Sequence, residues 1–200
     1  MNEKVRCSWT GNIPICIDYH DNEWGRPVHD DVKLFEMLIL EGMQAGLSWL
    51  TVLKKREAFR EAFDGFDHNK VALYGDTKIQ ELMINEKIIR NRLKINAAII
   101  NARAVLNVAE KYGSFDKFIW KYVNYIPVTG YWKKQEDLPV TSPLSDIISR
   151  DLKKMGFKFV GSTTIYSFMQ AIGMVNDHLT DCFVFEEILN GGQLHDGKSR

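Results

Sequence analysis

Apolar residues recur at spacings of three and four from residue 30 onward, whereas the strict alternation typical of a half-buried strand is nearly absent. This pattern predicts an all-α fold in which helices pack on helices. Asp30 or Asp31 can cap a first helix whose apolar stripe starts at Leu34, and Ser48 can cap a second that starts at Trp49. Further helices are predicted near residues 78–86, 92–111 and 115–123, from Ser142 to Gly156, and after Ser162.

The region 124–141 has no clear period and contains Pro127 and Pro139, so it predicts a long loop between two intertwined lobes. Residues 184–200 include several glycines near their end and are predicted to form a flexible tail. The remaining residues, 1–183, are predicted to fold as a single domain.

Composition and charge limit the kinds of partner and the cellular compartment that we expect for this protein. Lys plus Arg and Asp plus Glu number 26 each, so any binding to a polyanion must come from a local patch. The longest uncharged run, Phe159–Asn176, falls short of the roughly 20 apolar residues of a bilayer span, and we expect no membrane partner. Three cysteines argue against a disulfide framework, and the polar amino terminus shows no signal peptide. We therefore expect a cytoplasmic protein. We also expect it to act as a monomer.

A set of metal-ligating residue types lies at the two ends of the chain. Cys7 and His20 are thirteen positions apart, and His178 and Cys182 are four apart, which places the second pair on one face of a helical turn. Two thiolates and two imidazoles are a ligand set that zinc accepts as a closed structural site. The alternative is two buried thiols and two hydrogen-bonded histidines, and the spacing alone leaves both open.

One carboxylate lies on an apolar face. The stripe through Leu34 and Leu38 continues to Glu41, which predicts an inward-pointing acid, whereas Glu36 lies on the opposite face and is predicted to be solvated. A buried carboxylate is costly unless it is hydrogen-bonded or functional. Glu41 is therefore either a candidate functional acid or an acceptor for backbone donors in the following turn.

Large aromatic residues lie in the same quarter of the chain as Glu41. They are Trp9, Tyr19, Trp24 and Trp49. Such a group is often only core, but flat walls beside one carboxylate would also suit a heteroaromatic ligand that carries an amino group.

A local basic patch interrupts the neutral composition. Residues 87–121 carry eight Lys or Arg against two Asp or Glu. The densest part is a predicted turn between two helices, with Lys87, Arg90, Arg92 and Lys94. This arrangement suits a phosphate backbone, although a basic helix can also be an ordinary solvated face.

Several motifs carry a resemblance to a known family. Over roughly residues 5–182, and in the same order, the chain resembles the DNA-3-methyladenine glycosylase I family of the helix-hairpin-helix superfamily. The motifs are Tyr19–Gly25, Leu40–Trp49, Gly156–Gly161 and Asn176–His178.

The resemblance implies an all-α helix-hairpin-helix glycosylase that removes 3-methyladenine from alkylated double-stranded DNA. No lysine in the motif-rich segments is placed for Schiff-base chemistry, which predicts base removal without strand cleavage. It implies a structural zinc ion that joins the terminal segments, with ligands Cys7, His20, His178 and Cys182. The DNA-binding hairpin would be the segment near residues 81–104.

The resemblance also implies that Glu41, Tyr19 and Trp49 contact the excised base, with Trp9 and Trp24 shaping the pocket. Three positions depart from the family pattern. Lys87 and Leu93 stand where the family often has glycine or a small residue, and Cys16 stands where an aromatic residue is frequent.

Two rival functions use the same residues. A zinc hydrolase would employ a catalytic ion with Glu41 as its base, but four protein ligands argue against the open position that catalytic zinc keeps. A non-enzymatic module would bind damaged DNA or alkylated purines in the aromatic pocket without releasing a base.

Overall fold

A computed structural model describes residues 4–191. Over that range no helix is long and apolar enough to cross a membrane. The described part contains ten α-helices: α1 (Pro14–Asn22), α2 (Asp31–Gln44), α3 (Trp49–Ala62), α4 (His68–Val71), α5 (Asp76–Ile84), α6 (Arg92–Tyr112), α7 (Phe115–Trp120), α8 (Pro143–Lys154), α9 (Ser162–Ala171) and α10 (Phe183–Gly191).

Two very short strands accompany the helices. β1 (Val128–Thr129) and β2 (Val175–Asn176) pair in parallel, with Val128 opposite Val175. This pairing ties the loop that precedes α8 to the segment that precedes α10. The predicted all-α bundle is confirmed, with this small addition.

The predicted helix starts depend on local capping. The Asp30 carboxylate accepts from the Lys33 amide at 2.9 Å, and the Ser48 hydroxyl accepts from the Thr51 amide at 3.2 Å. Ser142 caps α8, whose first residue is proline. These starts are confirmed because each cap satisfies backbone donors within its own helix.

α2 is the central helix of the fold. All ten residues from Leu34 to Met43 are buried, because α3, α6, α7 and α9 pack around the helix. The prediction that Glu36 is solvated is therefore wrong. Its Oε1 accepts from Arg56 Nε at 2.7 Å and Arg60 Nε at 2.9 Å, and these ion pairs compensate the burial of its charge.

The carboxyl-terminal prediction also needs correction. Residues 184–191 were expected in a flexible tail, but they belong to α10, which buries Val184, Phe185 and Ile188. The apolar spacing of these three side chains anchors the helix to the core. Residues 192–200 of the expected tail lie outside the described residues.

Candidate active site

A cavity of about 240 Å³ opens between the central helix and the amino-terminal segment. Its walls come from α1, α2, α3, α9 and the loop before α8. All five residues expected to form a base pocket line it. The full lining is Trp9, Tyr19, Trp24, Glu41, Gln44, Trp49, Gln135, Leu138, Ser167 and Gln170.

A tight turn and contacts between aromatic rings fix the positions of the aromatic walls. Trp49 is the first residue of α3 and follows the tight turn at Gly46, whose φ of +79° suits glycine. The rings of Tyr19 and Trp49 lie 5.3 Å apart between centroids, and those of Trp9 and Trp24 lie 5.2 Å apart. These contacts fix the walls relative to one another.

Unpartnered polar atoms concentrate around this cavity. Trp9 Nε1, Tyr19 Oη, Glu41 Oε2 and Trp49 Nε1 are buried without a hydrogen-bond partner, and over residues 4–191 the only other such side-chain atom is His68 Nδ1. Buried polar groups are normally paired, and each unpaired one is costly. Three donors and one carboxyl oxygen around one cavity therefore indicate a polar, aromatic ligand.

Burial controls the ionisation of the two central groups. It raises the pKa of Glu41 from 4.5 to about 8. Burial, together with the Glu41 carboxylate, also raises the pKa of Tyr19 well above its ordinary range. Tyr19 therefore keeps its proton and can donate, whereas Glu41 can change charge when a ligand binds.

Four buried side chains form a metal-ligand cluster beside the cavity. Cys7, His20, His178 and Cys182 each offer one ligand atom, and these atoms lie within 4.8 Å of one another. Cys182 Sγ lies 3.5 Å from His20 Nε2 and 3.6 Å from His178 Nδ1, and Cys7 Sγ lies 3.6 Å from the same Nδ1. The cluster could hold a metal ion and joins the terminal segments, as expected.

The surroundings of the cluster orient its ligands. His20 Nδ1 lies 2.8 Å from the Asp21 carboxylate, and His178 Nε2 lies 3.0 Å from the Trp24 carbonyl oxygen. Each contact leaves the other ring nitrogen directed at the cluster. Hydrogen bonds from Cys7, His178 and His20 also lower the pKa of Cys182, which favours a thiolate.

Three of the four basic residues predicted at the turn are exposed, and one is buried. Lys87 and Arg90 are exposed in the connection from α5 to α6, and Arg92 is exposed at the first position of α6. Lys94 is buried, and its Nζ donates to the carbonyl oxygens of Met43 at 2.8 Å and Ala45 at 2.6 Å. Lys94 is therefore not part of the exposed basic surface, because its ammonium caps the carboxyl end of α2.

A second basic helical pair lies at α8 and α9. Arg150, Lys153 and Lys154 are exposed near the end of α8, and the connection to α9 contains Gly156 at a φ of +90°. α9 itself contributes Ser167 and Gln170 to the cavity wall. The connection from α8 to α9 therefore carries exposed basic residues next to a helix that lines the cavity.

Comparison with known proteins decides the family. A family model described as methyladenine glycosylase matches residues 9–185. The DNA-3-methyladenine glycosylase 1 of Escherichia coli (strain K12) is 50% identical over 177 residues, which cover 88% of this chain and 95% of that protein. This chain belongs to the methyladenine glycosylase family.

Solved structures of family members share the fold. A crystal structure of a 3-methyladenine DNA glycosylase I has a TM-score of 0.87 at 50% identity, and the match covers 90% of this chain and 98% of that one. The Staphylococcus aureus 3-methyladenine DNA glycosylase I, in a structure addressing its recognition of 3-methyladenine, also has a TM-score of 0.87. It is 40% identical, and the match covers 89% of this chain and 95% of that one.

One departure from the family pattern lies outside the described cavity lining. Cys16 is buried in α1 and is not among the ten residues that line the cavity.

Five cavity residues were missed by the sequence analysis. Gln44 lies three positions after Glu41 on α2, and Ser167 and Gln170 are three apart on α9, so helical spacing could have indicated them. Gln135 and Leu138 come from the irregular loop before α8, where no periodic signal exists.

Proposed function

We propose that this chain removes 3-methyladenine from alkylated double-stranded DNA by hydrolysing the N-glycosidic bond, which leaves an abasic site. The observation that carries the proposal is the aromatic cavity in which Glu41 is the one acidic lining residue. The activity named for the relatives supports the same substrate.

Charge is the basis of discrimination. Methylation at N3 gives adenine a positive charge, which normal adenine lacks. A cation over the face of Trp49 gains on the order of 2 kcal/mol when it is desolvated. The Glu41 carboxylate adds a second favourable interaction with the same charge, at a buried site where water screens little.

Glu41 changes its protonation when the charged base binds. Because its pKa is about 8 in the free protein, the carboxyl holds a proton at neutral pH. The positive base stabilises the ionised form, so binding releases this proton. The carboxylate then accepts hydrogen bonds from the amino edge of adenine, and the Tyr19 hydroxyl donates to the ring and fixes its orientation.

The chemical step needs little acid catalysis. The positive charge already weakens the glycosidic bond, and the base leaves as a neutral molecule. The sugar that remains resembles an oxocarbenium ion, which nearby negative charge, including the DNA phosphates, stabilises until water adds. None of the ten lining residues is a lysine, so Schiff-base chemistry and strand cleavage are not expected.

DNA is bound through the exposed basic connections. Lys87, Arg90 and Arg92 supply charge for the phosphate backbone, and Arg150 and Lys153 on α8 extend that surface toward the second helical pair. The target nucleotide must be extruded to enter the cavity, and extrusion costs least for a damaged base. The protein acts as a monomer in this scheme.

Zinc is the metal that suits the cluster. Tetrahedral zinc with ordinary Zn–S and Zn–N distances places sulfur and nitrogen ligands about 3.5 Å apart. The three sulfur to nitrogen separations, 3.5, 3.6 and 3.6 Å, fit that geometry. Four protein ligands leave no open position, so the ion would cross-link the terminal segments and has no part in the hydrolysis.

The test is incubation of the protein with methylated DNA, followed by chromatographic identification of the released bases. Release of 3-methyladenine with the strand intact is the expected result. Tight binding of methylated DNA without base release would favour the binding module, and a turnover that chelators abolish in a still-folded protein would favour the zinc hydrolase.

A further inference from the structure

A second buried carboxylate lies behind the cavity wall. Asp177 is only 2% exposed, and no salt bridge to it occurs in the described part of the chain. Its Oδ1 accepts from Trp132 Nε1 at 2.7 Å, and its Oδ2 accepts from the Tyr166 hydroxyl at 2.7 Å and from Gln170 Nε2 at 2.9 Å. Three neutral donors therefore stabilise this carboxylate.

The carboxylate determines which way the Gln170 amide points. A carboxylate only accepts hydrogen bonds, so the NH₂ group of Gln170 must face Asp177. The amide oxygen is then on the other side, and among residues 4–191 no side chain or backbone group donates a hydrogen bond to it. Because Gln170 lines the cavity, this oxygen is left as an acceptor for whatever enters.

We propose that Gln170 is a specificity-determining residue that presents a second acceptor to the base, and that Asp177 is a positioning residue that holds its amide in that orientation. This inference rests on the proposed function. It assigns the cavity two acceptors, one on Glu41 and one on Gln170, which suit a purine edge that carries an amino group.

The consequence is discrimination between two methylated purines. 3-Methyladenine and 3-methylguanine both carry the positive charge, so charge alone separates them poorly. At position 6, adenine offers an amino donor and guanine a carbonyl acceptor. A fixed acceptor forms a hydrogen bond with the adenine amino group. The guanine carbonyl oxygen repels the same acceptor and leaves it without a hydrogen bond, which disfavours guanine.

Two substitutions test the two roles. Gln170→Leu removes the acceptor from the cavity, together with one of the three donors to Asp177. Asp177→Asn acts through Gln170: the Trp132 indole can only donate, so the new amide keeps its oxygen toward Trp132 and turns its NH₂ group toward Gln170. Gln170 then has to rotate its amide, which places NH₂ in the cavity instead of oxygen.

The measurement is kcat/KM for release of 3-methyladenine and of 3-methylguanine from the same methylated DNA. We expect the ratio of the two to fall about tenfold in each variant. This is the order of magnitude for loss of an acceptor that forms a hydrogen bond with adenine and repels guanine. Asp177→Asn should have no further effect on the ratio in the Gln170→Leu background. A merely structural role for Asp177 would lower both rates equally and leave the ratio unchanged.

The control is Thr163→Ala, an exposed change on α9 outside the cavity lining, which should keep the wild-type ratio. A wild-type ratio in Gln170→Leu would overturn the inference, even if Asp177→Asn failed to fold. An effect of Asp177→Asn that persists without Gln170 would overturn the positioning role. A wild-type protein that releases neither base would instead contradict the proposed function.

Discussion

The buried acid at the cavity makes a quantitative prediction about stability, independent of any activity. The pKa of Glu41 rises from 4.5 to about 8 on folding because the side chain is buried. A group whose pKa is raised on folding stabilises the protein fully below its unfolded pKa, and this contribution is lost as pH rises through the folded pKa. Glu41 therefore destabilises the free protein progressively between pH 4.5 and pH 8.

Glu41→Gln removes this titration while preserving the size and shape of the side chain. The shift of Glu41 is equivalent to about 5 kcal/mol, of which about 4 kcal/mol develops between pH 5 and pH 9. We expect the free energy of unfolding of the variant, relative to wild type, to rise by about 4 kcal/mol across that interval.

The assay is urea unfolding of both proteins at several pH values, without DNA or free base. The metal ligands and surface carboxylates titrate in both proteins, so they cancel in the difference. Glu110→Gln, an exposed change on α6, is the matched control and should show a difference that does not vary with pH. A Glu41→Gln difference that changes by less than about 1 kcal/mol would refute the burial argument.

Three further predictions follow from the other buried groups and the basic surface. Cys182→Ser should abolish binding of one metal ion per chain and lower the melting temperature, whereas Cys16→Ser should keep the metal, as elemental analysis and thermal unfolding would show; a metal-free wild type would contradict the site. Arg92→Ala should weaken binding to methylated and unmethylated DNA alike and reduce the salt slope by about one, as measured in a salt titration; an unchanged slope would remove it from the interface. Glu36→Leu should cost about 3 kcal/mol in urea unfolding, because it leaves the charges of two arginines less compensated; a loss under about 1 kcal/mol would contradict the paired burial.

The sequence predicts those parts of the fold whose causes are local. Asp30, Ser48 and Ser142 cap their helices as predicted, because a cap depends only on donors two or three residues away. The prediction for Glu36 failed because periodicity assumes a helix with one solvated side, whereas α2 is covered by four other helices. Coverage by distant segments is not encoded in the spacing of residues within one helix.

In the candidate site, too, features with local causes could be predicted from the sequence, and features that depend on distant segments could not. Glu41 was indicated by its position on an apolar stripe, but Gln135 and Leu138 reach the cavity from a loop whose path depends on the β1–β2 pairing. Lys94 looked like a surface cation because its neighbours in sequence are basic and exposed. Its actual partners, Met43 and Ala45, lie about fifty positions earlier and could not be inferred from the local pattern.

The metal cluster and the cavity are also connected. The carbonyl oxygen of Trp24 accepts from His178, and the indole ring of the same residue lines the cavity. Gly25 makes this approach feasible, because it has a φ of +76° and an added Cβ would lie 2.7 Å from His178 Nε2. The cluster therefore supports one wall of the cavity as well as the chain ends.

The central claim is that a buried acid between aromatic walls recognises a positively charged purine. Its most direct test is the single-turnover rate of 3-methyladenine release from methylated DNA by wild type and Glu41→Gln, both verified as folded. We expect a rate about a hundredfold lower in the variant, because a desolvated charge interaction is lost. Equal rates in the two proteins would contradict it.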